Sequence, residues 1–208
     1  GEYMKNEYEI SDIGELTALY GNVSARALTK ELDYISAEYK QLIEASPFMA
    51  IATIGDTGLD CSPRGEKNSV VEVVGDKMLR FADRPGNNRL DSLSNIVEDG
   101  RVALLFLIPG VTETMRVNGR ATVTNDPMLL KHFEVNGKLP IVVIEVIVES
   151  VYFQCSKAIY RAELWETEIV DRKSLPSSGE IFKTIEKSSF DHEIYDKESE
   201  TRLRKSLY

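Results

Sequence analysis

Apolar residues along this chain change their period twice. In the first forty-odd positions they recur at helical spacing. Leu16, Leu19 and Tyr20 share one face of a segment running from Ser11 to Gly21. A second helix is expected from a Thr29 cap, with Leu32, Ile35, Tyr39, Leu42 and Ile43 on one face, ending at Ser46-Pro47. From Phe48 the period drops to two. Phe48 to Ile54 and Leu59 to Ser62 read as strands around the turn Gly55-Asp56-Thr57-Gly58. Val70 to Val74 and Met78 to Ala82 form a second hairpin about Gly75-Asp76, and Arg101 to Ile108, Thr114 to Thr124 and Ile141 to Phe153 are three longer strands. Helices are expected from Asn88 to about Glu98 and from Asp126 to about Val135.

Six or seven strands joined mostly by short turns imply a mainly β fold with helices, an antiparallel barrel closed or nearly closed. After Trp165 the chain turns polar, and Ser-Leu-Pro-Ser-Ser-Gly at 174–179 is linker chemistry. The expected organisation is one domain over residues 1–166 with a polar linker and helical tail at 167–208.

Composition narrows the class of function. Among 208 residues the net charge is −9, which disfavours nucleic acid or an anionic membrane surface as partner. The longest apolar run, Val102 to Pro109, is far short of the ~20 residues that span a bilayer. With a mixed, acidic start and only Cys61 and Cys155 as thiols, a cytoplasmic address is expected. Charge is uneven, however. Residues 61–120 carry nine Lys and Arg against eight acids, a net of +1, while the rest of the chain carries −10. Such a middle suits either a small anionic ligand or a solvated face of ion pairs.

Enzyme signatures of the familiar kinds are missing. His132 and His192 have no companions at metal spacing, so no metal site is expected, and no Gly-x-Ser-x-Gly, Walker or Rossmann motif occurs. Any chemistry would fall to a cofactor. Four segments stand out. Phe81 to Leu93 runs strand, Pro-Gly turn and helix, with Asn88 as a suitable cap beside Arg84 and Arg89; it fits either a phosphate site or a capped surface helix. Cys61-Ser62-Pro63-Arg64-Gly65-Glu66-Lys67 breaks its ladder at Pro63, placing Ser62 and Arg64 at a rim or in a solvated edge bulge. Alternation from Glu113 puts Thr114, Arg116 and Asn118 on one face. The fourth segment, Gln154 to Ala158, leads to Trp165, a core plug or a ring-stacking wall.

Together these segments resemble the pyridoxamine 5′-phosphate oxidase-like, FMN-binding split-barrel family. The resemblance rests on Ser62–Gly65, Asp83–Leu93, Leu105–Gly110, Glu113–Ala121 and Cys155–Ala158, and covers about residues 12–166. It implies a six-stranded antiparallel split barrel with flanking helices and a homodimer holding FMN at its interface. By position, Asn88 and Arg89 (with Asn87 beside them) match phosphate-binding residues, and Ala82 and Asp83 the strand-end pair beside the flavin. Ser62, Arg64 and Lys67 match the segment along its pyrimidine edge and phosphate. Thr114 matches a side chain facing the ring, with Arg116 on the same face, and Lys157 lies where the second subunit contributes. Gln154 stands in place of a histidine, and Lys67-Asn68-Ser69-Val70 in place of the family's Pro-Gly-Phe segment. The substrate-clamping Arg and His of true pyridoxamine phosphate oxidases are not in place. The implied activity is thus a flavin oxidoreductase on an unidentified small molecule, the alternative being a non-catalytic flavin- or haem-binding protein.

Overall fold

Seven strands form one antiparallel sheet in a computed structural model that describes residues 6–86, 89–186 and 190–208. They are β1 (Phe48–Gly55), β2 (Gly58–Gly65), β3 (Glu72–Val74), β4 (Met78–Asp83), β5 (Arg101–Leu107), β6 (Thr114–Thr124) and β7 (Val142–Gln154), ordered β2-β1-β5-β6-β7-β4-β3. The sheet curls so that β2 comes opposite the end of β4, and side chains rather than a ladder bridge the gap between them. This is the split barrel the sequence implies. It has seven strands rather than six because three-residue β3 also pairs with β4.

Alternation decides which side of each strand is inside. Met49, Ile51, Leu79, Phe106, Met115, Val117, Ile144 and Val146 are almost wholly buried and fill the barrel. β6 and β7, the longest pair, slip register between Asn118 and Gly119. Glycine is required there, since a Cβ on Gly119 would lie 2.2 Å from the Ile147 carbonyl oxygen.

Pro63 does not break its ladder. β2 stays paired with β1 through Pro63, Arg64 and Gly65. It is the edge strand, so the missing N–H of Pro63 faces no further partner.

The helices before the barrel depart further from expectation. α1 (Ile13–Tyr20) stops at Gly21, with φ of 73°, as the pattern indicated, and starts from an Asp12 cap just inside the expected Ser11. Its apolar face nevertheless buries nothing against the described chain. The helix expected from Thr29 is two helices, α2 (Ala25–Thr29) and α3 (Ala37–Glu44). Thr29 ends the first, and Ser36 caps the second by accepting from the Tyr39 N–H. Between them Leu32 is pulled into a backbone bridge with Val151, a tertiary pairing that overrides the helical period.

α4 (Asp91–Glu98) begins three residues later than expected, with Leu90 rather than Asn88 at the cap position. α5 (Pro127–His132) is capped by Asp126, and α6 (Lys157–Ala162) follows β7. Trp165 donates from Nε1 to the Val111 carbonyl at 2.8 Å, anchoring the chain as it leaves the barrel. The tail forms α7 (Ser178–Glu186) and α8 (His192–Ser206), joined by a cluster of Phe182, Phe190 and Tyr195. No helix among the described residues is long and apolar enough to cross a membrane.

Candidate functional site

The gap between β2 and β4 is lined by polar groups where a barrel would ordinarily be apolar. Register places Asp60, Ser62 and Arg64 opposite Thr53, Ile51 and Met49 of β1, so all three point to the inner face, and Glu66 extends the row. Across the gap Asp83 continues the inner row of Leu79 and Phe81. Arg64 and Asp83 meet there, Nη2 to Oδ1, at 3.5 Å. One step further out Arg84 Nε donates to Glu66 Oε1 at 2.5 Å, and its Nη1 donates to the Phe133 carbonyl. Residues 63–66 and 81–84 enclose a cavity of about 220 Å³.

Electrostatics inside the gap are divided. Asp60 accepts from the hydroxyls of Ser92 (2.5 Å) and Ser62 (2.8 Å). The Ser92 bond holds its carboxyl below the usual range, helped by Ser62 and the charges of Arg64 and Arg89. Burial pushes Asp83 the other way, and Arg64 offsets this only in part. Arg64 Nε is buried without any hydrogen-bond partner. The rest of the guanidinium is engaged, Nη2 with Asp83 and Nη1 donating to the Pro63 carbonyl at 3.1 Å, so Nε is its idle buried donor.

Of the sequence-derived candidates, the structure thus brings Ser62, Arg64, Ala82 and Asp83 together. Ser62 addresses Asp60 rather than empty space. Lys67 is exposed just beyond β2 and lines a neighbouring cavity of about 510 Å³ with Glu66, Arg84 and Phe133. Arg89 lies ahead of α4, exposed, with Nε 2.6 Å from Asp91 Oδ2. Asn87 and Asn88 fall outside the described residues. Leu90 carries no side-chain acceptor, so it makes no side-chain cap to α4.

Thr114, Arg116 and Lys157 do not belong to this cluster. Thr114 and Arg116 lie on β6, two strands from β4 and three from β2 in the sheet order. Thr114 is buried opposite Gln154, while Arg116 is exposed and stacks over Tyr152 at 5.1 Å. Asn118, on the same face as Arg116, donates weakly to Ser150. Lys157 is the exposed first residue of α6.

Four residues were not singled out from the sequence: Asp60, Glu66, Ser92 and Tyr208. The signal for the first two was available, since Asp60, Ser62 and Arg64 alternate strictly along β2 and Glu66 keeps the period just past its end. Tyr208 had none. It follows α8, yet its hydroxyl donates to Glu66 Oε2 at 2.9 Å and its ring lies under Arg84, 5.1 Å from the guanidinium carbon. Among the described residues no group of three or more His, Cys, Asp or Glu could hold a metal ion.

An open antiparallel barrel with a polar slot at its seam defines a class of small split-barrel proteins. The family profile for pyridoxamine 5′-phosphate oxidase matches residues 35–155, and the chain belongs to that family. No curated protein matches the sequence. Among solved structures the chain is similar to HupZ of Group A Streptococcus, 20% identical, covering 57% of this chain and 93% of that one, with a TM-score of 0.47. General Stress Protein 26 of Bacillus anthracis is 16% identical over 54% of this chain and 88% of its own (TM-score 0.42). An FAD-binding protein of Mesorhizobium loti is 16% identical over 60% and 97% (TM-score 0.39).

Proposed function

We propose that the seam between β2 and β4 binds FMN, that a second copy of the chain completes the site as a homodimer, and that the protein is a flavin-dependent oxidoreductase on a small molecule. The observation that carries this reading is Arg64, whose Nε is buried and unpaired within the seam cavity. A flavin's pyrimidine edge alternates acceptors with an N–H donor. Arg64 supplies the donors, and the Asp83 carboxylate supplies an acceptor beside them. Ala82, next to Asp83, gives a small wall against which a flat ring can lie.

The phosphate falls to Arg89, the uncapped start of α4, and Asn87 and Asn88. Arg89 now holds Asp91, but that pair is exposed, with side chains 78% and 51% accessible. A solvent-screened pair is weak, and a phosphate bearing nearly two charges competes well with the single Asp91 carboxylate for Arg89. Thr114, Arg116 and Lys157 stand too far around the barrel to reach the same slot, which fits their serving the site of a second copy. Bound flavin supplies hydride or electron transfer at its ring; this chain's part is to hold it, orient it and place positive charge beside it.

The test is reconstitution with FMN followed by fluorescence titration. Arg64→Ala and Arg89→Ala are each expected to weaken binding by about 1.5–3 kcal/mol, roughly tenfold to hundredfold. Unchanged affinity in both variants, or a haem Soret band in place of flavin bands in the purified protein, overturns the assignment.

A further inference from the structure

Tyr208 sits across the mouth of the seam. On one side lies the 220 Å³ cavity holding Arg64 and Asp83; on the other lies the 510 Å³ cavity lined by Lys67. Both cavities share Glu66, Val70, Ala82, Arg84 and Tyr208 as walls, so they are neighbouring compartments of one cleft, parted by Tyr208 together with the Glu66–Arg84 pair. The inner compartment alone falls below the ~300–1,000 Å³ of ordinary ligand pockets, while the joined cleft falls within it. The divider is held lightly. The phenol donates to Glu66, the ring meets Arg84, and Lys138 Nζ touches the Tyr208 backbone oxygen. Burial and the Glu66 carboxylate keep the phenol protonated by pushing its pKa up. Glu66 and Arg84 are themselves paired, so the clasp survives without Tyr208.

We propose that Leu207-Tyr208 is a displaceable strap, clasped by the Glu66–Arg84 pair, which closes the ligand site and must swing out for ligand to enter. The proposal rests on the FMN reading only for the identity of the ligand. With the strap closed most of the time, the competent fraction is small, and apparent affinity and association rate fall by that fraction. Strap and ligand compete for the same space, so dissociation is untouched.

Stopped-flow FMN binding to the full chain and to Tyr208→Ala tests this. The variant is expected to associate about tenfold faster or more, with an equal gain in affinity and an unchanged dissociation rate. Tyr208→Phe, which keeps the ring and loses the bond to Glu66, is expected to fall between. Unchanged association, or faster dissociation with weaker binding, overturns the proposal, the latter because Tyr208 would then be a wall touching the ligand. A ligand-free readout separates this from failure of the flavin reading. Trypsin should cut at Arg202, Arg204 or Lys205 several-fold faster in Tyr208→Ala and in Glu66→Gln than in the parent. Equal cutting rates refute the strap even if no protein binds FMN, and faster cutting supports it in the same circumstance.

Discussion

Replacing Arg64 with Met removes the charge facing Asp83 across the seam and keeps most of the buried stem. Two opposed effects follow. Asp83, only about a fifth exposed, loses its counter-charge, and Asp60 loses one of the cations that stabilise its anion. Breaking a fully buried pair costs about 3–5 kcal/mol and an exposed one about 0–1; a half-enclosed contact of 3.5 Å sits between, at about 2 kcal/mol. Against this, the substitution also deletes the unpaired Nε, a burial that costs about 1–3 kcal/mol in the parent. The two effects separate by pH. Asp83 already has its folded pKa above the unfolded value of about 3.9, so it destabilises the fold increasingly as pH rises through that window. Removing Arg64 raises it further, and the penalty exists only while Asp83 is ionised. Asp60 has the opposite shift, and the stability it contributes fades as pH falls toward its lowered value, taking the Arg64 contribution with it. Urea unfolding at pH 7.5 should therefore show Arg64→Met within about 1 kcal/mol of the parent, a loss of about 2 kcal/mol being set against a relief of about 1–3. At a lower pH, where Asp83 is less ionised, Arg64→Met should gain stability relative to the parent, and Asp83→Asn added to Arg64→Met should stabilise it at pH 7.5. The same difference from the parent at both pH values, or no stabilisation by Asp83→Asn, would refute the reasoning that these charges hold one another at the seam.

Gly55→Ala should destabilise the fold by about 1–3 kcal/mol in chemical denaturation, because its Cβ would lie 2.2 Å from Oδ1 of buried Asn95, whose amide donates to Thr53 at 3.0 Å; a change within 0.5 kcal/mol would contradict that packing. Arg101→Ala should raise the Asp99 carboxyl from about 2 toward, but not fully to, its unfolded value, since the Arg101 backbone N–H still donates to it. An NMR titration reads this directly, and an unmoved carboxyl would show that the Arg101 side chain is not its partner. Asp99's contribution to stability is present above its unfolded pKa and lost as pH falls toward 2, so Arg101→Ala should also flatten the acid limb of the stability curve.

The strands from Phe48 to Gln154 were legible because a half-buried strand writes its inner face into every second residue, and the turns carry Gly-Asp chemistry. The helices were legible where caps were local, as at Asp12 and Asp126. They misled where a distant partner intervened. Leu32 suits a helix by period but is held by Val151, and nothing within ten residues of Leu32 announces that. The site divides in the same way. Arg64 and Asp83 were found through strand-end motifs, and their meeting required the sheet to curl. Alternation alone could have added Asp60 and Glu66. Tyr208 could not be found, because its place depends on how two tail helices pack, and their apolar positions leave several solutions.

A polar inner row on β2 has a second physical explanation: inward-pointing charges blunt an edge strand against pairing with another chain. The two explanations differ in what they require of Arg64. Edge protection works with charges that are solvated or fully paired, and a single one suffices. This row instead sets Asp60, Ser62 and Arg64 opposite Thr53, Ile51 and Met49 of β1, forgoing apolar burial worth about 1.5–3 kcal/mol per fully enclosed side chain. It also leaves one arginine nitrogen buried and idle and one carboxyl pushed toward its neutral form. Those costs add nothing to edge protection, which a solvated or fully paired charge already supplies. A ligand with acceptors and a donor on one flat edge would answer both the idle nitrogen and the raised carboxyl. Local rules that fail together at one place, with nothing gained in stability, mark a functional site better than any of them singly. Here they converge on the gap that Tyr208 covers.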